Sequence, residues 1–151
     1  MMNEPGPIRI IQTTIDRLID LRHATLRQGL PRESAYFAGD ESPDAVHIAA
    51  MLEEVVVGCA SFHLNTWESR PAYQLRGMAT ADSIRRRGVG RAMLLFAEDL
   101  LKQEGATRQL WCNARVPAVP FYESMGWTVV SEVFDIPTAG PHVRMTKTVG
   151  M

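Results

Sequence analysis

Four arginines and two glycines crowd the segment Arg85-Arg86-Arg87-Gly88-Val89-Gly90-Arg91, between an apolar strand-like run and an amphipathic helix-like one. Glycines at such a junction let the backbone come close to a phosphate, and the N–H groups of a helix start, lacking intrahelical acceptors, point outward at it. Flanking guanidinium groups can meet phosphate oxygens two at a time. The chemistry on offer is the holding of a pyrophosphate. A solvated basic turn with a glycine cap would use the same residues, and the spacing alone does not decide between the two. No Gly-Lys-Ser/Thr follows, as the nucleotide-triphosphate loop requires, and the third glycine of Gly-x-Gly-x-x-Gly is absent. Histidines and a tyrosine are the other candidates. His47 and His63 alternate within strand-like runs and read as half-buried structural residues, and no metal-ligand spacing links the histidines, so no metal is expected. Phe121-Tyr122, on a short helix-like stretch, reads by itself as packing.

These residues need elements to hold them. Residues 8–11 read as a first strand. Thr13-x-x-Asp16 resembles a capping box, followed by Ile15, Leu18, Ile19, Arg22 and Leu26 at helical spacing, with Gly29-Leu30-Pro31 as a stop. Residues 32–44 are polar and predict a long loop. Runs at 46–52 and 55–64, joined by Glu53-Glu54, predict a hairpin. Residues 73–80 form a further strand entered through Pro71, where Gly77 suggests a bulge or a close backbone approach. Residues 89–104 predict the clearest helix, with Val89, Met93, Phe96 and Leu100 on one face and Gly105 as its stop. A strand at 108–114, a short helix at 117–125 with Pro120 in its first turn, and strands at 127–134 and 142–148 complete the chain. A hairpin-rich half followed by a βαβ half implies an α/β (α+β) fold with a mixed, strongly twisted sheet of six to seven strands and helices on both faces.

Composition sets the outer bounds. The chain has 151 residues, 46% of them apolar and 22% charged, with a formal net charge of −1. That is the size and make-up of one globular domain with its own core, and residues 1–151 are expected to form a single domain. The charge balance favours neither nucleic acid nor an anionic membrane, and no apolar run reaches spanning length. Cys59 and Cys112 sit inside apolar runs and read as reduced core residues. No basic flank and apolar stretch opens the chain, so a cytoplasmic enzyme is the expectation.

Two segments in order resemble a known family. Leu75-Arg76-Gly77-Met78-Ala79-Thr80, then Arg85-x-x-Gly88-x-Gly90 and a helix, resembles the central motif of the GNAT (Gcn5-related N-acetyltransferase) superfamily. Ala118-x-x-Phe121-Tyr122-Glu123-x-x-Gly126-Trp127 resembles its later motif. The resemblance is specific over 72–128 and follows the family's element order throughout. It implies an acetyl-coenzyme A-dependent N-acyltransferase, with acetyl-CoA as co-substrate. Backbone groups of Met78, Ala79 and Thr80 would then hold the pantetheine arm like an added strand. The segment Arg85, Arg86, Arg87, Gly88, Val89, Gly90 and Arg91 would wrap the pyrophosphate. Tyr122 would protonate the leaving thiolate, and a backbone N–H of 78–80 would face the oxyanion.

There are departures. Arg115 stands where many relatives have an asparagine seven residues before the tyrosine; a guanidinium there could reach a phosphate. The central strand offers Gln74 and Arg76 where some relatives have a glutamate base. His142, after the Pro/Gly-rich stretch 134–141, is the candidate to supply a base beside the acceptor, against the alternative of an ordered turn whose imidazole caps carbonyls. Acceptor specificity is expected to rest on loops 30–44, 64–71 and 134–142. Glu33, Asp40, Glu41 and Asp44 in the first suit a cationic amine or are simply solvated. A small-molecule or protein amine is the implied acceptor, a homodimer is possible, and neither nucleic acid nor membrane is an expected partner. A non-catalytic acyl-CoA sensor on the same fold is the alternative; a nucleic-acid binder using the 85–91 arginines ranks last, because no aromatic residues are interleaved with them.

Overall fold

The computed structural model describes residues 7–84 and 87–150. Its sheet has eight strands in the order β1-β2-β3-β4-β5-β8-β6, with β7 also paired to β8. Strands β1 (Ile8–Thr13), β2 (Val46–Leu52), β3 (Val55–Trp67) and β4 (Arg70–Thr80) form an antiparallel meander. β4 pairs in parallel with β5 (Gln109–Arg115), and β8 (Gly140–Thr148) returns antiparallel to β5. This is the mixed sheet that the hairpin-then-βαβ order implied.

Period-two alternation distributes the core over both faces. On β2, Ile48 and Ala50 face the helix α2 (Val89–Glu104), in one cluster with Val89, Met93, Leu94, Ala97 and Leu101. Ala49 and Met51 face the other way, onto Ile15, Leu18 and Ile19 at the start of α1 (Ile19–Leu26). Gly58 of β3 lets α2 lie close, since a Cβ there would come within 3.0 Å of both Ala50 and Val89. The sequence put Phe96 and Leu100 on the buried stripe of α2. They are only partly covered, because the stripe turns toward Leu94 and Leu101 and brings Glu98 against Lys147 of β8 at 2.8 Å.

Several local expectations give way to pairing. Thr13 does not cap a helix: it belongs to β1, opposite His47, and only a short 3-10 turn (Ile15–Arg17) without a side-chain cap precedes α1. Residues 64–71 are not a loop, for β3 and β4 stay paired through Trp67↔Arg70 around a turn at Glu68 and Ser69. The single strand expected at 127–134 is divided. β6 (Thr128–Val129) ends where the Ser131 hydroxyl takes over as acceptor for the Arg144 amide at 2.8 Å, and Phe134 opens β7 (Phe134–Ile136). Residues 134–142 are correspondingly a β7–β8 hairpin rather than a loop.

The polar stretch after α1 is anchored inward. Asp40 is buried and receives Arg22 at 2.6 Å, His63 Nε2 at 2.8 Å and the Phe37 amide at 2.6 Å. Arg22, wholly buried, also donates to the Ala35 carbonyl and to Ser61 Oγ. His47 Nε2 lies 2.8 Å from the Asp40 carbonyl, which can only accept, so Nε2 carries the proton and Nδ1 accepts from Ser61. Burial alone would raise the Asp40 carboxyl, but hydrogen bonds from His63, Arg22 and the Phe37 amide hold it well below the usual carboxylate range. Asp40 therefore does not serve as loop acidity toward an acceptor, nor is it solvated. It holds residues 35–40 against the sheet.

Candidate functional site

β4 and β5 are hydrogen-bonded only over Tyr73–Leu75 and Leu110–Cys112. From Arg76 onward the β4 edge that faced β5 has, among the described residues, no strand beside it, and its backbone polar groups are open to an added one. Gly77 starts this departure. Between Arg76↔Ser61 and Ala79↔Cys59, two β4 residues stand against one of β3, which is the bulge the sequence suggested. Glycine is required there on two counts: φ is +63°, and a Cβ would lie 2.7 Å from Arg22 Nε.

On the α2 side of the slot lies a groove of about 480 Å³, lined by Met78, Ala79, Thr80, Gly88, Val89, Gly90, Arg91 and by Phe121, Tyr122 and Met125. Gly88 is the residue before α2, with φ +74° and no side chain to satisfy the first helix amides. Those amides are the unpaired donors of a helix start, at the positive end of its dipole. Gly90 is required for closeness, since a Cβ would meet Met78 Cε at 3.0 Å and Phe121 Cζ at 3.3 Å. Arg91 lies across the mouth, touching Met125 Sδ at 3.3 Å.

On the α1 side is a second cavity of about 300 Å³, lined by Arg27, Phe37, Gln74, Arg76, Asn113, Arg115 and His142 among others. Met78, Ala118 and Tyr122 line both spaces, so the two meet at the Tyr122 ring. Tyr122 lies in α3 (Val119–Ser124), is buried, and packs edge-on against Phe121 and Trp127. Among the described residues its hydroxyl has one weak partner, Met78 Sδ at 3.7 Å. Burial, helped by the nearby Cys112, pushes that hydroxyl far above its ordinary range. Burial likewise pushes the Cys112 thiol up to about 12.

The predicted site residues divide as follows. Met78, Ala79, Thr80, Gly88, Val89, Gly90 and Arg91 line the first groove together with Tyr122. Arg87 is exposed and does not line it; Arg85 and Arg86 lie outside the described residues. Arg115 faces the second cavity, away from the helix start, so a phosphate contact from it finds no support there. His142 sits in β8 opposite Arg115 and is buried. Its Nδ1 lies 2.7 Å from the Gly140 carbonyl, and its ring tilts over Phe134. A carbonyl can only accept, so Nδ1 holds the proton and the neutral ring keeps its lone pair on Nε2. His47 and His63 line neither space. Arg27 and Phe37 are among the lining residues that were not singled out from sequence. The Tyr36-Phe37 pair inside the otherwise polar stretch 32–44 was the available sign of the second.

A model of the acetyltransferase (GNAT) family matches residues 15–127. A Bacillus subtilis protein named uncharacterized N-acetyltransferase YitI is 31% identical over 141 residues, covering 89% of this chain and 92% of its own. Among solved structures, an aminoglycoside 6'-N-acetyltransferase complexed with coenzyme A superposes with a TM-score of 0.73 at 18% identity, covering 93% of this chain and 97% of that one. The ribosomal-protein-S18-alanine N-acetyltransferase of Escherichia coli gives 0.74 at 17%, covering 96% of each. The names of those two structures point to chemically different amines, so the shared fold does not specify an acceptor.

Proposed function

The chain belongs to the acetyltransferase (GNAT) family and is an acyltransferase acting on amines, and from that premise we propose that, as a single domain, it moves an acetyl group directly from acetyl-coenzyme A to an amine. The observation that carries this reading is the meeting of two spaces at Tyr122, one built around a helix start and one around polar side chains. The residues present fit the coenzyme. Gly88 and Gly90 open the helix start to a pyrophosphate, and the free β4 edge at Met78, Ala79 and Thr80 suits the amide-bearing arm. Arg91 supplies positive charge for the phosphates.

Acetyl-coenzyme A supplies an activated acyl carbon: a C–N bond to the amine forms as the C–S bond breaks, with the sulfur leaving as thiolate. The chain's own groups move the protons. His142 Nε2 takes the proton from the amine, and the Tyr122 hydroxyl donates toward the sulfur. A phenol raised this far stays protonated at neutral pH, and a thiolate in the same apolar surroundings is raised with it, as Cys112 illustrates. The β4 amides beside the bulge are donors of the kind an oxyanion needs.

Free-thiol release from acetyl-coenzyme A, measured over a panel of amines, is expected to exceed the amine-free rate for at least one acceptor. In His142→Gln the amine-dependent kcat/KM should fall with coenzyme affinity intact. Coenzyme binding without any amine-dependent thiol release would leave a sensor instead. A second expectation concerns Gly88→Val. Nothing within 4 Å obstructs the added Cβ, so the cost comes from φ +74°, which a β-branched residue resists. The turn shifts and the first amides of α2 lose their aim. Calorimetric affinity for coenzyme A should fall about tenfold, whereas unchanged affinity would detach the helix start from the coenzyme.

A further inference from the structure

The acceptor-side cavity has an electrostatic character that the acyltransfer reading leaves unused. Its lining carries the guanidinium groups of Arg27, Arg76 and Arg115 and, among the described residues, no carboxylate. Three guanidinium carbons crowd one ring, with Arg22, Arg76 and Arg27 at 4.1, 4.6 and 5.0 Å from the Phe37 centroid. Arg22 is neutralised by the buried Asp40 carboxylate. Among the described residues Arg27 and Arg76 have no such ion-pair partner: Arg27 donates to the Leu26 carbonyl, and both guanidinium groups lie over the face of Phe37. Burial, with Arg22 and Arg27 adding to it and Asp40 opposing, makes the charge on Arg76 harder to keep. Like charges gathered in one wall, with the Asp40 carboxylate already engaged by Arg22 and His63, repel one another, and an entering anion relieves that repulsion.

We propose that the acceptor is a small amine that also carries an oxyanion, carboxylate or phosphate, held by Arg27 and Arg76 while its amine faces His142 and the Tyr122 junction. The proposal rests on the acetyltransfer reading and narrows it to a substrate class. It reverses the sequence-based expectation of a cationic amine drawn to the acidic residues of 33–44. Of those, Asp40 is buried in its own ion pair, and Glu33, Glu41 and Asp44 line neither space. A guanidinium presents a flat fork to two oxygens, so Arg27 and Arg76 suit carboxylate or phosphate far better than an ammonium, which they repel. A space of about 300 Å³ also suits a small metabolite more than a folded substrate's side chain with its flanking backbone.

The test compares amines matched except for the distal group, on the full chain with saturating acetyl-coenzyme A, correcting each rate to the free-amine fraction. The pairs are β-alanine against β-alaninamide and phosphoethanolamine against ethanolamine, with 1,4-diaminobutane as the cationic member. The anionic member of at least one pair is expected to show kcat/KM about ten- to hundredfold above its neutral partner, and the diamine the lowest value. Which pair shows the gap identifies the oxyanion. In Arg76→Gln and, separately, Arg27→Gln, KM for that anionic amine should rise about tenfold, and its kcat/KM relative to the neutral partner's should fall by a similar factor. Equal or better turnover of the neutral or cationic members, or no turnover of any anionic amine while others react, would overturn the proposal. Failure to bind coenzyme A in calorimetry, or no thiol release with any amine, would instead defeat the acetyltransfer reading on which it stands.

Discussion

Replacing Tyr122 with phenylalanine is expected to lower kcat about a hundredfold while leaving coenzyme affinity and folding stability nearly unchanged. In the resting protein the hydroxyl does little. Its one partner among the described residues is a thioether at 3.7 Å, a weak acceptor, so the ring can lose the oxygen without leaving a strong donor or acceptor stranded. The ring itself, packed on Phe121 and Trp127, is preserved in the variant. A stability role would therefore show almost nothing. A proton-donor role would show in kcat, because protonation of the leaving sulfur follows binding. The measurement is a pair of kcat and calorimetric affinity values across pH 6 to 9, with a denaturation midpoint alongside. An unchanged kcat over that range would reduce Tyr122 to a packing residue at the junction of two spaces.

Tyr122 was reachable from sequence because it lies in a compact motif whose parts are close along the chain. The same holds for Gly88-Val89-Gly90: a turn glycine followed by an amphipathic run fixes a helix start by local rules alone, and α2 begins at Val89. The Gly77 bulge was legible too, as a glycine inside an otherwise regular strand. Long-range pairing was not. Thr13 looks like a cap until β2 comes alongside it, and the 64–71 and 134–142 stretches look like loops because their turn residues are prominent. Only the partner strand shows that they stay paired. The acceptor side was the least legible. Arg22, Arg27, Phe37, Asp40, Ser61, Arg76 and His142 come from α1 and its end, the stretch after it, β3, β4 and β8, and their charges matter only through which of them are neutralised. Asp40 shows this best. In sequence it is one acid among four in a polar stretch, and only its proximity to Arg22, His63 and the Phe37 amide makes it a buried counterion.

Asp40→Ala should accordingly destabilise the protein by roughly 3–5 kcal/mol, the usual cost of stranding one member of a buried ion pair. Arg22 has no exposed side-chain surface, so the orphaned guanidinium cannot turn to solvent without moving α1. The His63 ring and the Phe37 amide would lose their acceptor in the same change. The double variant Arg22→Met with Asp40→Ala removes the stranded charge and should lose less than the two single losses added together. Acid should act on the same cluster in two stages. Burial, ahead of the other influences on it, lowers the His47 pKa below 6.5, so the folded protein binds this proton less readily than the unfolded chain. Stability contributed by neutral His47 is present above pH 6.5 and drains away as pH falls below it. Asp40 has the opposite charge type and the same sign of effect. Its folded-state pKa lies well below the unfolded 3.8, so its contribution is complete above that value and is lost only as pH falls through the folded one. Denaturant midpoints measured from pH 8 downward should hold level to about 6.5, decline gently, and then fall steeply in strong acid. In His47→Gln the first decline should vanish while the second remains. A profile in which that variant still lost stability between pH 6.5 and 5 would place the titrating group at a residue other than His47.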